Sequence, residues 1–304
     1  MAPVSLPAEV RAACAWVAER ARFVRIDEER LAGYARGLPG PGGAAEPPVG
    51  AGDPEAVAAY ALCMNAINFG SGWWPTIRKR GGLSGYGTMA AGLSERFEEN
   101  GRWSAGELIA LDAGAVAATL GQDPDHPLMA QFAAALRDVG AHLLGEHGGR
   151  YLGPVEAAGS IPALAATFAG WDSFADVSPY EGREVPFFKR AQIAAADLHR
   201  AGVADLPGIE DLTAFADNLV PHVLRVDRVL QLDPGLAARI EAEELLEHDS
   251  PEEVELRACA VHAIELLAGD CDLSPAEIDS ALWNRGAGRH YKASARPRSR
   301  TTAY

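Results

Sequence analysis

Apolar residues recur three and four positions apart over most of this chain, the spacing that collects them on one face of an α-helix. Segments with that pattern run over about 4–20, 26–37, 54–68, 104–119, 127–146, 187–201, 235–246, 251–268 and 275–284. Their starts are marked by capping chemistry. Ser104 with Glu107, Ser250-Pro251 with Glu253, and Ser274-Pro275 with Glu277 each place a side-chain acceptor before the helix and an acid at its third position, where both can satisfy unpaired N–H groups. Asp53-Pro54 and Asp233-Pro234 repeat the cap followed by proline, whose fixed φ suits the first helical turn. Strand candidates are short: one around Leu83 to Met89, another around Arg183 to Phe187, where an E-G-R turn precedes V-P-F-F. The predicted class is therefore mainly α, a single compact helical domain over 1–304 with a small β ribbon, or two packed helical halves at about 1–150 and 151–304.

Composition fits that class. With 48% hydrophobic and 23% charged residues, the 304-residue chain can bury a large core, and no long stretch has the make-up of a disordered linker. The Gly/Pro-rich segment from Gly37 to Gly52 is a surface loop, since no apolar strand precedes it and no Lys-Ser/Thr follows to make a phosphate loop. A net charge of -15 opposes tight binding to duplex DNA or to an anionic membrane, because both need a dominant basic face. Cys14, Cys63, Cys259 and Cys271 form no C-x-x-C pair and are too few for a secreted disulfide scaffold, so a reducing, cytoplasmic setting is expected. The N-terminal stretch carries charges among its apolar residues and reads as neither signal peptide nor membrane span.

Several constellations could carry chemistry. The eight histidines are scattered with no metal-binding spacing, and no G-x-S-x-G elbow is present, so neither a metal nor another cofactor is expected. In V-P-F-F-K-R-A-Q-I-A-A-A-D-L, a helix beginning near Phe187 puts Lys189 and Arg190 in its first turn, where the helix dipole disfavours cations. A bound anion would relieve that conflict, which makes the pair a candidate phosphate or ribose anchor; the alternative is a solvated or ion-paired Lys-Arg. Asp197 follows on the same helix face, able to pair with a base or cap a network.

The segment Leu206 to Pro221 contains L-P-G-I followed by T-A, a pattern resembling the hairpin of helix-hairpin-helix glycosylases with Glu210 in place of the second glycine. Asp217 within it sits in apolar surroundings that could enclose a carboxylate, or it caps a helix. At the end of the helix over 54–68, Gly70, Ser71 and Gly72 between Phe69 and Trp73-Trp74 would let backbone approach a planar ligand while aromatics stack on it; core packing is the competing explanation. In the basic tail from Gly286, Arg296, Arg298 and Arg300 alternate, so an extended chain turns all three to one side, either solvated or docked as phosphate contacts.

Taken together, N-F-x-x-x-W-W, L-S-G-Y, Y-E-G-R-E-V-P-F-F-K-R-A-Q-I, F-A-D-N-L-V-P and the R-x-R…Y terminus resemble the queuosine salvage proteins, queuosine 5′-phosphate N-glycosidases, from about Asn65 to Tyr304. The resemblance implies a mainly helical fold similar to DNA glycosylases and release of the base queuine from queuosine 5′-monophosphate. It implies Asp217 as the catalytic carboxylate, Lys189 and Arg190 as ligand contacts, and Asn68 and Phe69 in the base pocket. Trp74, Asp197, Arg298, Arg300 and Tyr304 complete the expected binding set, with the stacking ring open among Phe69, Trp73 and Trp74. The expected partner is this small molecule, bound by a monomer with no stable nucleic-acid complex and no membrane. The alternative is a nucleic-acid base glycosylase or base-binding module of the helix-hairpin-helix type.

Overall fold

The computed structural model describes residues 5–38 and 49–304. It is 59% helical, nearly twice the roughly 30–35% usual for soluble domains, so the mainly α class stands. In chain order the elements are α1 (Leu6–Ala18), β1 (Val24–Ile26), α2 (Glu28–Tyr34), α3 (Pro54–Ala66), α4 (Gly85–Asn100), α5 (Ala105–Ile109), α6 (Ala113–Leu120), α7 (Pro127–His147), α8 (Gly153–Ala157) and α9 (Ile161–Ala169). They continue with β2 (Val177–Tyr180), β3 (Arg183–Pro186), α10 (Lys189–Arg200), α11 (Leu219–Val226), β4 (Leu230–Leu232), α12 (Pro234–Glu241), α13 (Pro251–Gly269), α14 (Pro275–Gly286) and α15 (Arg289–Lys292). No described helix is long and apolar enough to cross a membrane.

The capping signals appear as hydrogen bonds. Ser104 with Glu107 and Ser274 with Glu277 form complete reciprocal boxes, and Asp53, Asp233 and Ser250 accept N–H groups at the starts of α3, α12 and α13. The ribbon at Arg183 pairs antiparallel with β2, Tyr180 opposite Arg183 and Val177 opposite Pro186. Three expectations need correction. Leu83 to Met89 is no strand: the Ser84 hydroxyl accepts the Gly87 N–H at 3.0 Å and starts α4, a helix whose glycines conceal its apolar period. The helix over 104–119 is two, because Asp112 caps a fresh start by accepting the Ala115 N–H. A second ribbon also exists, β1 against β4, with strands too short to announce themselves. Of the Gly/Pro-rich loop, residues 39–48 lie outside the described residues.

The chain forms two compact units from interleaved stretches. One draws on 1–45, 176–189 and 210–301, the other on 46–175, 190–209 and 302–304. In the first, α13 is buried on nearly every side, its Glu253, Glu255 and Arg257 included, with α1, α11 and α14 packed against it. Its buried Glu255 accepts the N–H groups of Arg22, Phe23 and Val24 and the Tyr180 hydroxyl, so the charge is fully hydrogen-bonded while it anchors β1 and β2. In the second, α3, α5 and α6 pack on α7, whose Phe132, Leu136, Val139 and Leu143 face the core.

Candidate active site

In the first unit, a tight turn delivers Lys189. Phe188 adopts left-handed backbone, φ 50°, which costs a non-glycine residue about 1–2 kcal/mol and persists only where neighbours enforce it. Asp176 supplies the enforcement. Its main-chain oxygen accepts the N–H groups of Phe187 (2.9 Å) and Phe188 (3.2 Å), and its carboxylate accepts that of Lys189 at 3.0 Å. Lys189 is thus the first residue of α10, in the first turn as its sequence suggests, and only 5% exposed. Part of the anion sought at this helix start is internal, namely the Asp176 carboxylate, itself neutralised by Arg257 through contacts of 2.9 and 2.7 Å.

A second turn in the same unit delivers Asp217. Ala216 is also left-handed, φ 49°, and its carbonyl accepts Arg257 Nε at 2.9 Å. The Asp217 Oδ1 atom accepts the Leu219 and Val220 N–H groups at 2.8 and 2.9 Å, so this residue does cap α11, as one of its two sequence interpretations holds. Its Oδ2 atom accepts no hydrogen bond among the described residues, and the side chain is half-buried. On either side, Phe215 donates its N–H to Asp279 and Asn218 donates its amide to the Pro297 carbonyl. Burial pushes the Arg296 guanidinium below its ordinary pKa, with the negative charge of Asp217 opposing that shift and the positive charge of Arg298 adding to it.

The tail is docked. Pro297, Ser299, Thr301 and Ala303 are buried, and the Arg298 carbonyl accepts the Leu246 N–H at 2.9 Å. The arginines therefore do alternate to one side of an extended chain, but with graded exposure: Arg298 lies 3.9 Å from Glu243, and Arg300 is exposed.

In the second unit, the end of α3 builds a polar chain. Asn68 donates its amide to Asn65 Oδ1 at 3.3 Å, and Asn65 donates to Asp197 Oδ2 at 2.9 Å, while Arg200 reaches the other Asp197 oxygen at 3.4 Å. Two tyrosines feel the same carboxylate: burial first, and the Asp197 charge with it, raise the pKa of Tyr86, and in Tyr60 the same causes outweigh an opposing hydrogen bond from Ser94. Arg190 is 1% exposed and its guanidinium donates to the carbonyls of Ala66 and Ser173, 4.8 Å above the Phe69 ring. Phe69 is itself buried, edge-on to Phe132 with ring centres 5.0 Å apart. Of the three rings considered for stacking, Trp73 and Trp74 retain accessible surface and Phe69 is core. Trp74 lies flat on Gly85, where a Cβ would stand 2.5 Å from its ring; this joins the N-F-x-x-x-W-W and L-S-G-Y motifs. A main-chain oxygen of Tyr304 accepts the Gly70 N–H at 3.0 Å, so Tyr304 closes the same turn.

Asn65, Asp176 and Arg257 escape the sequence reading. Arg257 alone left a trace, a charge amid the apolar run of α13; Asp176 meets Arg257, and Asn65 meets Asp197, only across long stretches of sequence. His248, Asp249 and Glu253 bring potential ligand atoms within 4.8 Å of one another, a cluster that scattered histidines did not suggest. Arg257 lies 3.9 Å from Glu253, and although burial lowers the His248 pKa, Glu253 and Asp249 raise it overall, so these groups form an ion-pair cluster.

The sequence profile of the queuosine salvage protein family matches residues 49–304. A protein of Sphaerobacter thermophilus named queuosine 5′-phosphate N-glycosylase/hydrolase is 33% identical over 247 residues, covering 76% of each chain. Proteins of the same name from Dictyostelium discoideum and Bos taurus are 30% identical over 82% of this chain and 79% of the relative, and 29% identical over 72% and 69%. The matched stretch includes both left-handed turns, the Asn65 chain and the docked tail, and the chain belongs to the queuosine salvage protein family.

Proposed function

We propose that this protein hydrolyses the N-glycosidic bond of queuosine 5′-monophosphate and releases queuine for salvage into tRNA modification, acting as a cytoplasmic monomer. The name shared by its relatives supports the reaction. The observation that carries the chemistry is the Asp217 carboxylate, fixed at one oxygen by two helix N–H groups and, among the described residues, without a hydrogen bond at the other. As the base departs with the bonding electrons, positive charge builds on the ribose; a carboxylate held against it stabilises the transition state more than the ground state. Water then adds to the anomeric carbon, its proton is lost, and ribose 5-phosphate forms as the base gains a proton. Asp217 orients that water or accepts its proton. Queuine is a 7-deazapurine without the usual ring N7 protonation site, so hydrogen bonds from the base pocket must stabilise the leaving group; Asn68, whose amide also donates to Asn65, is the proposed donor.

We assign the 5′-phosphate to Lys189, at the start of α10, with Arg296, Arg298 and Arg300 as further cations, and we assign Arg190 to holding the Phe69 turn. Trp74 on Gly85 is the proposed stacking surface. The test compares queuosine 5′-monophosphate with the unphosphorylated nucleoside. One charge-assisted contact contributes about 1.5–3 kcal/mol, so kcat/KM should favour the nucleotide by about 10- to 100-fold. Equal efficiency removes the phosphate assignment, and absence of freed base from both removes the function.

A further inference from the structure

Two strained junctions stand immediately before the two side chains assigned above to phosphate and reaction centre. Among the described residues, six non-glycine positions have left-handed φ, and Phe188 and Ala216 are the two that precede Lys189 and Asp217. Both junctions are tied to one buried pair. Asp176 takes the N–H groups of Phe187, Phe188 and Lys189; Arg257 gives Nη2 to both Asp176 carboxylate oxygens and Nε to the Ala216 carbonyl. The Arg257 Cζ atom lies 3.9 Å from the Phe187 ring centre, so the guanidinium is held on a third side. Each side chain of the pair is 2% exposed.

Burial of two charges carries a desolvation penalty that apolar residues of similar volume avoid, so stability alone gives no reason for such a pair. Geometry gives one. A planar guanidinium fork holds a carboxylate and a carbonyl at a set angle, which a flexible ammonium does not. We propose that Asp176–Arg257 is a positioning pair that aims Lys189 and Asp217 as one unit, touching no substrate itself. This rests on the assignment of those two residues.

Arg257→Lys keeps the charge and loses the fork. It should fold, with kcat lowered about 100-fold by displacement of the reacting group and KM for the nucleotide raised about tenfold. The KM increase should vanish on a Lys189→Ala background, because the phosphate contact is already gone; a merely structural pair would lower the melting temperature and leave kcat and KM of the folded molecules unchanged. A folded Arg257→Lys variant with kcat and KM within about twofold of wild type overturns the proposal. Should that variant not fold, Asp176→Asn combined with Arg257→Met removes both charges of the pair and leaves the buried Glu253 to His248. Per folded molecule its kcat should fall by a similar factor, and wild-type kcat overturns the proposal. Impaired Lys189→Ala and Asp217→Asn beside a normal Arg257→Lys defeats the positioning role alone; normal turnover by those two variants defeats the residue assignment and the positioning role together.

Discussion

Asp217 caps α11 with one oxygen and is the proposed catalytic carboxylate, and a single substitution separates the two roles. Asparagine keeps an oxygen for the Leu219 and Val220 N–H groups, so Asp217→Asn should leave the melting temperature nearly unchanged. It removes the charge proposed to face the developing ribosyl cation, and single-turnover release of queuine should fall by about 10²–10³-fold. Near-normal release would move the catalytic role to Asp197. Lys189→Ala should weaken use of the nucleotide while leaving the nucleoside nearly untouched, measured as kcat/KM on both; equal losses would place Lys189 at the ribose or the chemistry instead. His222 tests the surroundings. Burial pushes its pKa down to about 4, against the hydrogen bond that its Nε2–H donates to the Tyr291 carbonyl. A depressed histidine stays neutral in the folded state while the unfolded chain takes up a proton, so its contribution to stability is full above about pH 6.5 and is lost as pH falls towards 4. Chemical unfolding at pH 7 and pH 5 should show a loss of about 2 kcal/mol in the wild type beyond that of His222→Gln. Equal losses in both would contradict this.

Elements were legible where their chemistry is local. Serine and aspartate caps with their acids marked the starts of α3, α5, α12, α13 and α14, because the partners lie within three residues. The start of α4 reads as a strand in the sequence, since Gly85 and Gly87 interrupt its apolar pattern and the burial of Gly85 serves Trp74 instead. At the site, the F-K-R-A-Q and F-A-D blocks pointed to the segments that bear Lys189 and Asp217, but not to what holds them. Phe188 and Ala216 carry no sequence signal for left-handed backbone; that conformation comes from Asp176 and Arg257, far away in the chain. The burial of Phe69 and Arg190 was likewise invisible, because an aromatic and a cation read alike whether they meet ligand or each other. The alternating arginines point to a docked tail, and main-chain oxygens of Pro297, Arg298 and Tyr304 take part in the attachment. Deletion from Arg296 onward removes the acceptor of the Asn218 amide beside Asp217 and the partner of the Gly70 N–H. Activity should fall at least about 100-fold even in molecules that remain folded at the assay temperature; a fully active truncated enzyme would show the tail to be dispensable.

For the whole molecule, a net charge of -15 and local cations suit a small anion better than a nucleic-acid backbone. Of the cations proposed to meet phosphate, Lys189 and Arg296 are largely withdrawn from the surface. No salt-sensitive complex with tRNA is expected at physiological ionic strength, whereas a base-flipping glycosylase would form one. The family and the arrangement around Asp217 converge on hydrolysis of one bond in one nucleotide. The most direct measurement is a product balance by mass spectrometry after incubation of the purified protein with queuosine 5′-monophosphate. Queuine and ribose 5-phosphate should appear in equal amounts and above the level without protein; intact nucleotide at the end of the incubation, with neither product present, would contradict the account.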